Sequence, residues 1–329
     1  MSLRVMGKFW NLNVNTEDKV AVCSRSFSRN PILRAELLSR YANVTFNDAG
    51  DSLAGDNLVA FLLGHDKAIT ALEYIDETIL AQLPQLKVIG KYGVGLDMID
   101  MAAMRCNGIR LGWTGGVNRR SVSEMVIAFA VAMLRHFPAA HREVLSGTWR
   151  QHVGGLLSGR TVGIIGCGFI GKDLIKLLQP WGCKLLSHDI LDFPDFYSRF
   201  NVEPVALDEL LQRSDVVTLH TPLNESTRNI LSANCLEQMK PTAVLINAAR
   251  GGLVDEAKLK NMLLEKRLAA AAFDVFAVEP PQDVELLNLP NFLVTPHIGG
   301  SAEEVILAMG RAAIEGLDIN SVPHPNIGS

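Results

Sequence analysis

The stretch TVGIIGCGFIG, residues 161–171, decides the fold of this chain because an apolar run meets a glycine-rich turn and then a helical segment. In such a unit Gly166 allows the tight turn, Gly168 lets a pyrophosphate approach the backbone, and Gly171 lets the helix pack closely on the strand. The helix N-terminus then offers unpaired N–H groups to an anion. The order of strand, turn and helix predicts a dinucleotide-binding turn, whereas the glycine spacing alone also occurs in plain turns.

A second strand follows this helix and ends at an acidic residue. A Pro-Trp-Gly sequence at residues 180–182 ends the helix, residues 184–188 are predicted as the strand, and Asp189 closes it. A dinucleotide-binding fold places at this position the acid that accepts hydrogen bonds from the adenosine ribose hydroxyls. A carboxylate there repels the 2′-phosphate of NADP, and residues 190–192 include no arginine to receive that phosphate. We therefore expect NAD to be preferred over NADP.

The composition is that of a two-domain protein without a nucleic-acid partner. With 329 residues, 48% of them hydrophobic, the chain is long enough for two domains with cores of their own. The net charge of −4 and the lack of a long basic run argue against binding to nucleic acid. The five cysteines are scattered and lack metal-ligand spacing, so we expect reduced thiols in the cytoplasm and no metal site.

The hydropathy pattern gives no sign of a membrane segment. Residues 1–4, MSLR, lack the apolar region of a signal peptide. The longest apolar stretch, residues 125–134, is too short to span a bilayer. We therefore expect a soluble cytoplasmic protein without a membrane partner.

The first region alternates strands with helices, which predicts an α/β domain with a parallel sheet. The polar residues 24–30 are predicted as a loop that either holds a phosphate or another polar group through Arg25 and Arg29, or is simply solvated. The last strand leads into GVGLD, residues 93–97, whose N–H groups form either a plain turn or a cradle for a carboxylate. The predicted strands are residues 19–23, 43–46, 67–72 and 86–90, and the predicted helices are residues 31–40, 53–63 and 76–82.

Residues 121–135 form a long predicted helix whose apolar residues lie nearly all round it. Asn118 or Ser121 is the expected cap, with Glu124 in the first turn. A helix of this kind is buried on more than one side, so we expect it at the domain junction or in a subunit interface.

Beyond Asp189 the alternation continues, and polar residues follow the predicted strands. The strands are residues 216–219, 243–247, 270–273 and 292–295, with helices at residues 207–212, 256–266 and 302–316. Ligands of doubly wound sheets bind outside the carboxyl ends of the strands, so these positions are candidates for a site. They are His220, Thr221, Pro222, Ala248, Ala249, Arg250, Asp274, Glu279, His297 and Gly299.

Five motifs lie along the chain in an order shared with one enzyme family. They are GVGLD at residues 93–97, the glycine turn at 166–171, NAARGG at 247–252, DVF at 274–276 with Glu279-Pro280, and PHIG at 296–299. With these motifs the chain resembles the D-isomer-specific 2-hydroxyacid dehydrogenase family over nearly its whole length. The similarity is to the short phosphoglycerate, glycerate and hydroxypyruvate dehydrogenase-like members, with no regulatory domain expected after His297.

The resemblance implies an α/β architecture of two parallel-sheet domains, Rossmann-like and flavodoxin-like, with a cleft between them that holds the active site. Residues 1–116 together with 300–329 are then the substrate-binding domain, and residues 117–299 are the NAD-binding domain. The C-terminal helix is expected to cross back to the first domain. Closure of the cleft would exclude water from the hydride path.

The resemblance also implies roles for individual residues. Arg250 binds the carboxylate and carbonyl of the substrate, Glu279 pairs with His297, His297 is the acid/base, and the backbone of Val94 and Gly95 donates to the substrate. Asp274 lies near the nicotinamide carboxamide and His220 lines the adenosine pocket. The implied cofactor-binding residues are Gly166, Gly168, Phe169, Ile170, Gly171, Asp189, His220, Thr221, Pro222, Ala248, Arg250, Asp274, His297 and Gly299.

The implied chemistry explains these residue types. Reduction of a 2-oxo acid adds a hydride to the carbonyl carbon and a proton to its oxygen, so a histidine facing that oxygen suits the reaction. A nearby carboxylate favours the protonated imidazolium and fixes its orientation. An arginine fork grips a carboxylate and stabilises negative charge on the carbonyl oxygen. Taken singly, His297 could be a strand cap, Glu279 a loop acid and Arg250 a surface ion pair.

The resulting hypothesis is an NAD-dependent oxidoreductase that interconverts a small D-2-hydroxy acid and its 2-oxo acid. One alternative is a nicotinamide-sensing, corepressor-like protein that uses the fold to bind a partner. Another acts on phosphite or formate, although Lys91 lies too far before Gly95 to match the lysine of the phosphite type. The family's habit and the apolar helix favour a homodimer. The sequence leaves open which 2-hydroxy acid is used and whether it is phosphorylated.

Overall fold

The computed structural model describes residues 14–324, which form two compact units. One unit contains the described residues up to Val117 together with those from Ile306 onward, and the other runs from Asn118 to Val305. The boundaries expected from the sequence, after residues 116 and 299, lie beside these. The interpretation of residues 1–4 falls outside the described residues.

Both units alternate strands and helices along the chain. The strands are β1 (Asn15–Val22), β2 (Tyr41–Phe46), β3 (Lys67–Thr70), β4 (Val88–Lys91), β5 (Arg110–Gly112), β6 (Thr161–Ile165), β7 (Lys184–His188), β8 (Val202–Pro204), β9 (Val216–Leu219), β10 (Val244–Asn247), β11 (Ala270–Phe273) and β12 (Phe292–Val294). The helices are α1 (Arg25–Arg29), α2 (Pro31–Leu38), α3 (Gly55–Leu62), α4 (Glu77–Leu80), α5 (Met101–Cys106), α6 (Arg119–Leu134), α7 (Phe137–Leu145), α8 (Phe169–Leu178), α9 (Pro194–Phe200), α10 (Leu207–Arg213), α11 (Ala233–Glu237), α12 (Glu256–Leu264), α13 (Val284–Leu287) and α14 (Glu303–Gly316).

The smaller unit contains a five-stranded parallel sheet in the order β2-β1-β3-β4-β5. Side chains alternate across β1, so Val20 and Val22 pack on one face with α2 and the end of α14, whereas Ala21 packs on the other face with α3, α4 and α5. A Cβ at Gly112 would lie 2.1 Å from Gly316 O, so the end of α14 lies directly against β5. The C-terminal helix is therefore part of the core of this unit.

The structure differs from the sequence prediction at two places in this unit. Residues 24–30, predicted as a loop, contain the short helix α1, because Ser24 Oγ accepts a hydrogen bond from Phe27 N at 3.3 Å and Phe27 is buried. The elements α5 and β5 were not predicted, because both are too short to show a clear hydrophobic period. Asp100 caps α5 by accepting from Ala102 N and Ala103 N.

The larger unit contains a seven-stranded parallel sheet in the order β12-β11-β10-β9-β6-β7-β8. Its central strands are apolar and buried on both faces, as expected when helices cover both sides of a parallel sheet. Ile165 pairs with His188 on one side and with Leu219 on the other, so these strands end at the same level. The predicted fold class of two parallel-sheet α/β domains is confirmed.

Helix α6 is mostly a core element of the larger unit. It packs on α8 and on strands β10 and β11, and its buried residues include Val126 and Phe129. Asn118 occupies the N-cap position, but its side chain makes no capping hydrogen bond. Ser121, the other predicted cap, instead donates from Oγ to Gly299 O at 2.7 Å. Between residues 14 and 324 no single helix is long and apolar enough to cross a membrane, and α6 with α7 passes that test only as a pair bent by 63°.

Candidate active site

The predicted site residues of the larger unit lie at the carboxyl edge of its sheet, because all seven strands are parallel and end there. Strand β7 lies on one side of β6 and β9 lies on the other, so the strand order reverses beside β6. Doubly wound sheets bind ligands at this kind of switch point. The glycine turn follows β6 at the switch point.

The glycine turn has no room for a side chain at two of its three glycines. Gly166 has a φ of 99°, and a Cβ there would lie 2.6 Å from His220 O. A Cβ at Gly171 would lie 2.1 Å from Gly166 O, so α8 starts directly against the turn. At Gly168, by contrast, a Cβ would meet nothing within 4 Å. This open space beside the N–H groups of the first turn of α8 fits a pyrophosphate.

Asp189 joins the glycine turn to the end of β7. Its Oδ2 accepts from Cys167 N at 2.6 Å and its Oδ1 accepts from Leu191 N at 2.8 Å. The carboxylate is half-buried and held on both sides by backbone. Each of its oxygens keeps a lone pair for a hydroxyl donor, so this carboxylate fits the ribose of a dinucleotide.

His220 and Thr221 bring unpartnered polar atoms to the same place. His220 Nδ1 and Thr221 Oγ1 are inaccessible to solvent and have no hydrogen-bond partner among the described residues. His220 Nε2 lies 3.1 Å from Thr218 Oγ1. Burial lowers the pKa of His220 to about 3, so its ring is neutral at physiological pH. Two orphaned polar atoms beside a glycine turn indicate a ligand site, because buried polar groups are normally paired.

Arg250 lies on a tight turn after β10. Asn247 shapes this turn, because its Nδ2 donates to Arg250 O at 2.8 Å and its Oδ1 accepts from Ala249 N at 3.2 Å. A Cβ at Gly251 would lie 1.9 Å from the carbonyl of Phe276, so only glycine fits where this turn meets the loop after β11. Arg250 Nη1 donates to Ala249 O at 2.7 Å. The half-buried guanidinium is thereby attached to the carboxyl edge of the sheet.

Glu279 and His297 form a hydrogen-bonded pair. His297 Nδ1 lies 2.9 Å from Glu279 Oε2, and Glu279 Oε1 accepts from Phe276 N at 3.0 Å. An ionised carboxylate only accepts hydrogen bonds, so Nδ1 is the ring nitrogen that carries the hydrogen in this pair. Nε2 is then the nitrogen that can exchange a proton with a ligand. Half of the His297 side chain is exposed, so it can be reached.

Asp274 is buried behind this pair, with 1% of its surface exposed. Its Oδ1 accepts from Ile298 N at 2.8 Å and from Thr295 Oγ1 at 2.5 Å, and its Oδ2 accepts from Gly299 N at 2.8 Å. All three donors belong to the loop after β12. The carboxylate therefore binds the loop on both sides of His297.

The remaining predicted residues have simpler surroundings. Phe169, which is exposed, and Ile170 begin α8, while Pro222 is exposed and Ala248 is buried. Val94 and Gly95 belong to the other unit, in the loop after β4, where Trp113 Nε1 donates to Val94 O at 3.0 Å. The structure thus brings together Glu279, His297, Asp274 and Gly299, and separately the glycine turn, Asp189, His220 and Thr221.

The arrangement of a glycine turn, an acid at the end of the next strand and a His–Glu pair on one sheet edge agrees with a sequence match. Residues 127–299 match the model of the D-isomer specific 2-hydroxyacid dehydrogenase, NAD binding domain. This chain belongs to the D-isomer specific 2-hydroxyacid dehydrogenase family. NAD is therefore the cofactor of the larger unit, and the open space at Gly168, the free lone pairs of Asp189 and the orphaned atoms of His220 and Thr221 fit it.

Relatives within the family align with most of this chain. It is 37% identical over 244 residues to D-3-phosphoglycerate dehydrogenase of Methanocaldococcus jannaschii, a match that covers 73% of this chain and 47% of that protein. It is 37% identical over 239 residues to hydroxypyruvate reductase of Thermotoga maritima, with 70% of this chain and 76% of that protein covered. The chain thus spans about half the length of the first relative.

A solved structure of the same fold carries the cofactor. D-lactate dehydrogenase with NAD⁺ from Lactobacillus jensenii superimposes with a TM-score of 0.76 at 26% identity, over 90% of this chain and 94% of that one. The match covers both units of the family fold.

The roles of three side chains that shape the site were not predicted from the sequence. Asn247 was noticed only as part of a motif, and Thr295 and the contact of Ser121 with Gly299 were not considered. Asn247 and Thr295 share a signal that was available, because each is the polar residue at the end of an apolar strand. The partner of Ser121 is 178 residues away, so no local pattern could have indicated it.

Proposed function

We propose that this protein is an NAD-dependent oxidoreductase that interconverts a small D-2-hydroxy acid and its 2-oxo acid, with His297 as the acid/base. The observation that carries the proposal is the His297–Glu279 pair, 2.9 Å between Nδ1 and Oε2, at the edge of the NAD-binding unit. Bound NADH supplies a hydride to the carbonyl carbon of the substrate. The protein has to supply the proton and to stabilise the charge.

His297 supplies the proton from Nε2. Glu279 accepts from Nδ1, so an imidazolium at this position keeps its Nδ1 hydrogen and gives up the one on Nε2. With a hydride added to the carbon, a proton from His297 on the carbonyl oxygen would complete the 2-hydroxy acid and leave a neutral imidazole. In the reverse direction the neutral imidazole takes the hydroxyl proton, and Glu279 again stabilises the ion that forms.

Arg250 has the geometry to bind the carboxylate that all such substrates share. Its guanidinium presents a planar fork, and its backbone is fixed by the Asn247 side chain and by the contact of Gly251 with Phe276. The positive charge also favours the transition state, in which the carbonyl oxygen becomes more negative. The predicted contacts of the Val94 and Gly95 backbone with the substrate stay a prediction, as does the assignment of the smaller unit as the substrate-binding domain.

A substrate panel tests the proposal directly. The purified chain is mixed with NADH and, in separate reactions, with glyoxylate, pyruvate, 2-oxobutyrate, hydroxypyruvate or hydroxypyruvate 3-phosphate. Phosphite and formate are each tested with NAD⁺. The absorbance of NADH is followed in every reaction. We expect turnover of at least one 2-oxo acid, and a rate lowered by about 10² to 10⁴ with His297→Ala at the same protein concentration. Binding of NADH without turnover of any compound would favour the corepressor-like alternative, and turnover only of phosphite or formate would favour the other hydride donors.

We also propose a homodimer, supported by apolar side chains that α7 and the segment after it expose. Leu145 is 74% exposed, Trp149 85% and Val153 93%. Large apolar side chains exposed along one segment are typical of a protein interface. Helix α6, expected from the sequence at the domain junction or in a subunit interface, packs on α8 and on the sheet of its own unit. Light scattering should report a dimer that Trp149→Asp with Val153→Asp converts to a monomer. A wild-type monomer at micromolar concentration would contradict the proposal.

A further inference from the structure

His297 has an unusual backbone conformation. Its φ is 54°, in the left-handed region that residues other than glycine rarely adopt. A residue held there is strained and persists only when its surroundings fix it. The conformation directs the side chain from a strand end toward Glu279. Some part of the protein must therefore hold the backbone on both sides of His297.

The buried Asp274 and the hydroxyl of Thr295 supply that restraint. Before His297 in the chain, Thr295 Oγ1 donates to Asp274 Oδ1 at 2.5 Å. After it, Ile298 N donates to the same oxygen and Gly299 N donates to Oδ2, each at 2.8 Å. His297 N itself donates to Asp274 O at 2.9 Å. Four hydrogen bonds thus connect Asp274, which directly follows β11, to the loop that carries His297.

Ser121 restrains the far end of the same loop. Its Oγ donates to Gly299 O at 2.7 Å, so the first turn of α6 holds the carbonyl while Asp274 holds the N–H of the same residue. Gly299 is also confined sterically, because a Cβ there would lie 3.1 Å from Asp274 Oδ2. The loop is therefore restrained by groups that approach it from two separate elements.

We propose that Thr295 and Asp274 are positioning residues that hold His297 in its left-handed conformation and so keep its imidazole on Glu279. The inference rests on the function proposed above. It gives Thr295 a role that its sequence position did not indicate, and it gives Asp274 a role different from a contact with the nicotinamide carboxamide. A carboxylate that already accepts three hydrogen bonds at 1% exposure is built to hold the loop.

The two roles of Asp274 predict different losses. If the carboxylate chiefly holds the loop, removing its hydrogen bonds misplaces His297 and slows proton and hydride transfer, while NADH binds as before. If it chiefly accepts from the nicotinamide, the affinity for NADH falls first. Substitution of Thr295 distinguishes the two roles best, because its hydroxyl bonds to Asp274 and is connected to His297 through that residue and the backbone.

The test compares Thr295→Val, which removes the hydroxyl, with Thr295→Ser, which keeps it. We expect Thr295→Val to lower the single-turnover rate of NADH oxidation about tenfold, and Asp274→Asn to lower it about a hundredfold, because small misplacements of catalytic groups have effects of this size. Thr295→Ser should retain the wild-type rate. The Kd for NADH, measured by fluorescence, should change by less than about twofold in all three.

A matched control removes a carboxylate elsewhere in the same sheet. Asp215 Oδ2 accepts from Thr161 N at 3.0 Å and Oδ1 accepts from Lys240 Nζ at 2.9 Å, at the amino edge of β6 and β9. Asp215→Asn should lower the melting temperature and leave the single-turnover rate unchanged. Ser121→Ala is a second, mild variant that releases the loop at Gly299 without altering Asp274, and it should lower the rate in the same direction as Thr295→Val.

A readout that needs no substrate separates this inference from the proposed function. Long-range proton–nitrogen NMR spectra of the cofactor-free protein report which nitrogen of His297 carries hydrogen. The wild type should show the Nδ1–H form bonded to Glu279, and Thr295→Val should show a mixture of both forms. An inactive wild type with the Nδ1–H form would overturn the function and keep the positioning role. Unchanged spectra and rates in Thr295→Val, or a loss confined to NADH affinity, would overturn the positioning role.

Discussion

The two units share one architecture, and a polar network at the carboxyl edge of one sheet can be compared with a polar network at the amino edge of the other. In the seven-stranded sheet Arg250, Glu279 and His297 all follow strands, at the carboxyl edge. In the five-stranded sheet a polar network lies at the amino edge, where Lys67 Nζ donates to Tyr41 Oη at 2.9 Å. Parallel α/β sheets place ligands at the carboxyl edge. The amino-edge network of the five-stranded sheet therefore lies away from the edge at which such sheets bind ligands.

The two networks differ in how completely their polar groups are paired. Lys67 contacts Asp18 and Asp318, and Asp318 accepts a hydrogen bond from Tyr41, so every charge of the amino-edge network has a partner within the protein. At the carboxyl edge of the other sheet, His220 Nδ1 and Thr221 Oγ1 lack partners among the described residues, and half of the His297 side chain is exposed. A network in which every polar group is paired stabilises a fold, whereas buried polar groups without a partner indicate a ligand site.

The largest effect is expected when the proposed acid/base is removed. We expect His297→Ala to lower kcat for reduction of a 2-oxo acid by about 10² to 10⁴, the usual effect of losing a general acid. Its melting temperature should not fall, because Ala removes no buried group and the side chain is half exposed. Steady-state kinetics with NADH titration measures this, and the Kd for NADH should stay unchanged. A kcat within twofold of the wild type would remove His297 from the mechanism.

Glu279→Gln tests the partner of that histidine. The variant keeps the shape of the side chain and removes its charge, and a hydrogen bond to a charged group contributes about 1.5–3 kcal/mol. We therefore expect kcat to fall about 10- to 100-fold, with little change in KM for the 2-oxo acid. Glu256→Gln is the control, because Glu256 accepts from Ala277 N in the neighbouring loop without touching His297. Equal effects of the two substitutions would make Glu279 a loop residue.

Substitutions of Asp189 test the expected preference for NAD over NADP. Removing its charge should lower the ratio of kcat/KM for NAD to that for NADP about tenfold, because the repulsion of a 2′-phosphate is lost. Asp189→Asn retains an acceptor for Cys167 N or Leu191 N, whereas Asp189→Ser shortens the side chain and loses both. The Asn variant should thus bind NAD better than the Ser variant. A wild type with equal kcat/KM for both cofactors would contradict the assignment.

The smallest effect is expected at the amino edge of the five-stranded sheet. Burial, and then the hydrogen bond to Asp318, raises the pKa of Tyr41 to about 12 from its ordinary value of 10.0. The protonated phenol is thus favoured in the folded state, and its contribution is fully present below pH 10 and lost as pH rises toward 12. Tyr41→Phe should lower the free energy of unfolding by about 1 kcal/mol at pH 8 and flatten its decline above pH 10, with activity unchanged.

Chemical denaturation at pH 8 and pH 11 measures the effect of Tyr41→Phe. An activity loss in this variant would show that the amino edge takes part in function. An unchanged alkaline decline would show that another group, such as Lys67, dominates the titration.

Much of the fold and part of the site could be predicted from the sequence because their signals are local. The strands β7, β9 and β11 match the predicted bounds, since each contains apolar residues and is followed by a polar residue or ends in one. The short elements α7, α9, β8, α11 and α13 were not predicted, because short segments show no clear hydrophobic period. Residues 24–30 were predicted as a loop, because the burial of Phe27 that stabilises α1 is a tertiary contact.

By itself, the sequence determined the family, the NAD-binding turn and the identities of the residues at the strand ends. These depend on contiguous motifs, such as GCGFIG at residues 166–171, whose geometry is set by neighbours in the chain. The tertiary structure was needed to show that Asp274 and Thr295 bind the loop of His297, that α6 is buried against its own sheet, and that α7 and the segment after it expose apolar side chains. These depend on hydrogen bonds and packing between residues 21 to 178 positions apart, which no local pattern encodes.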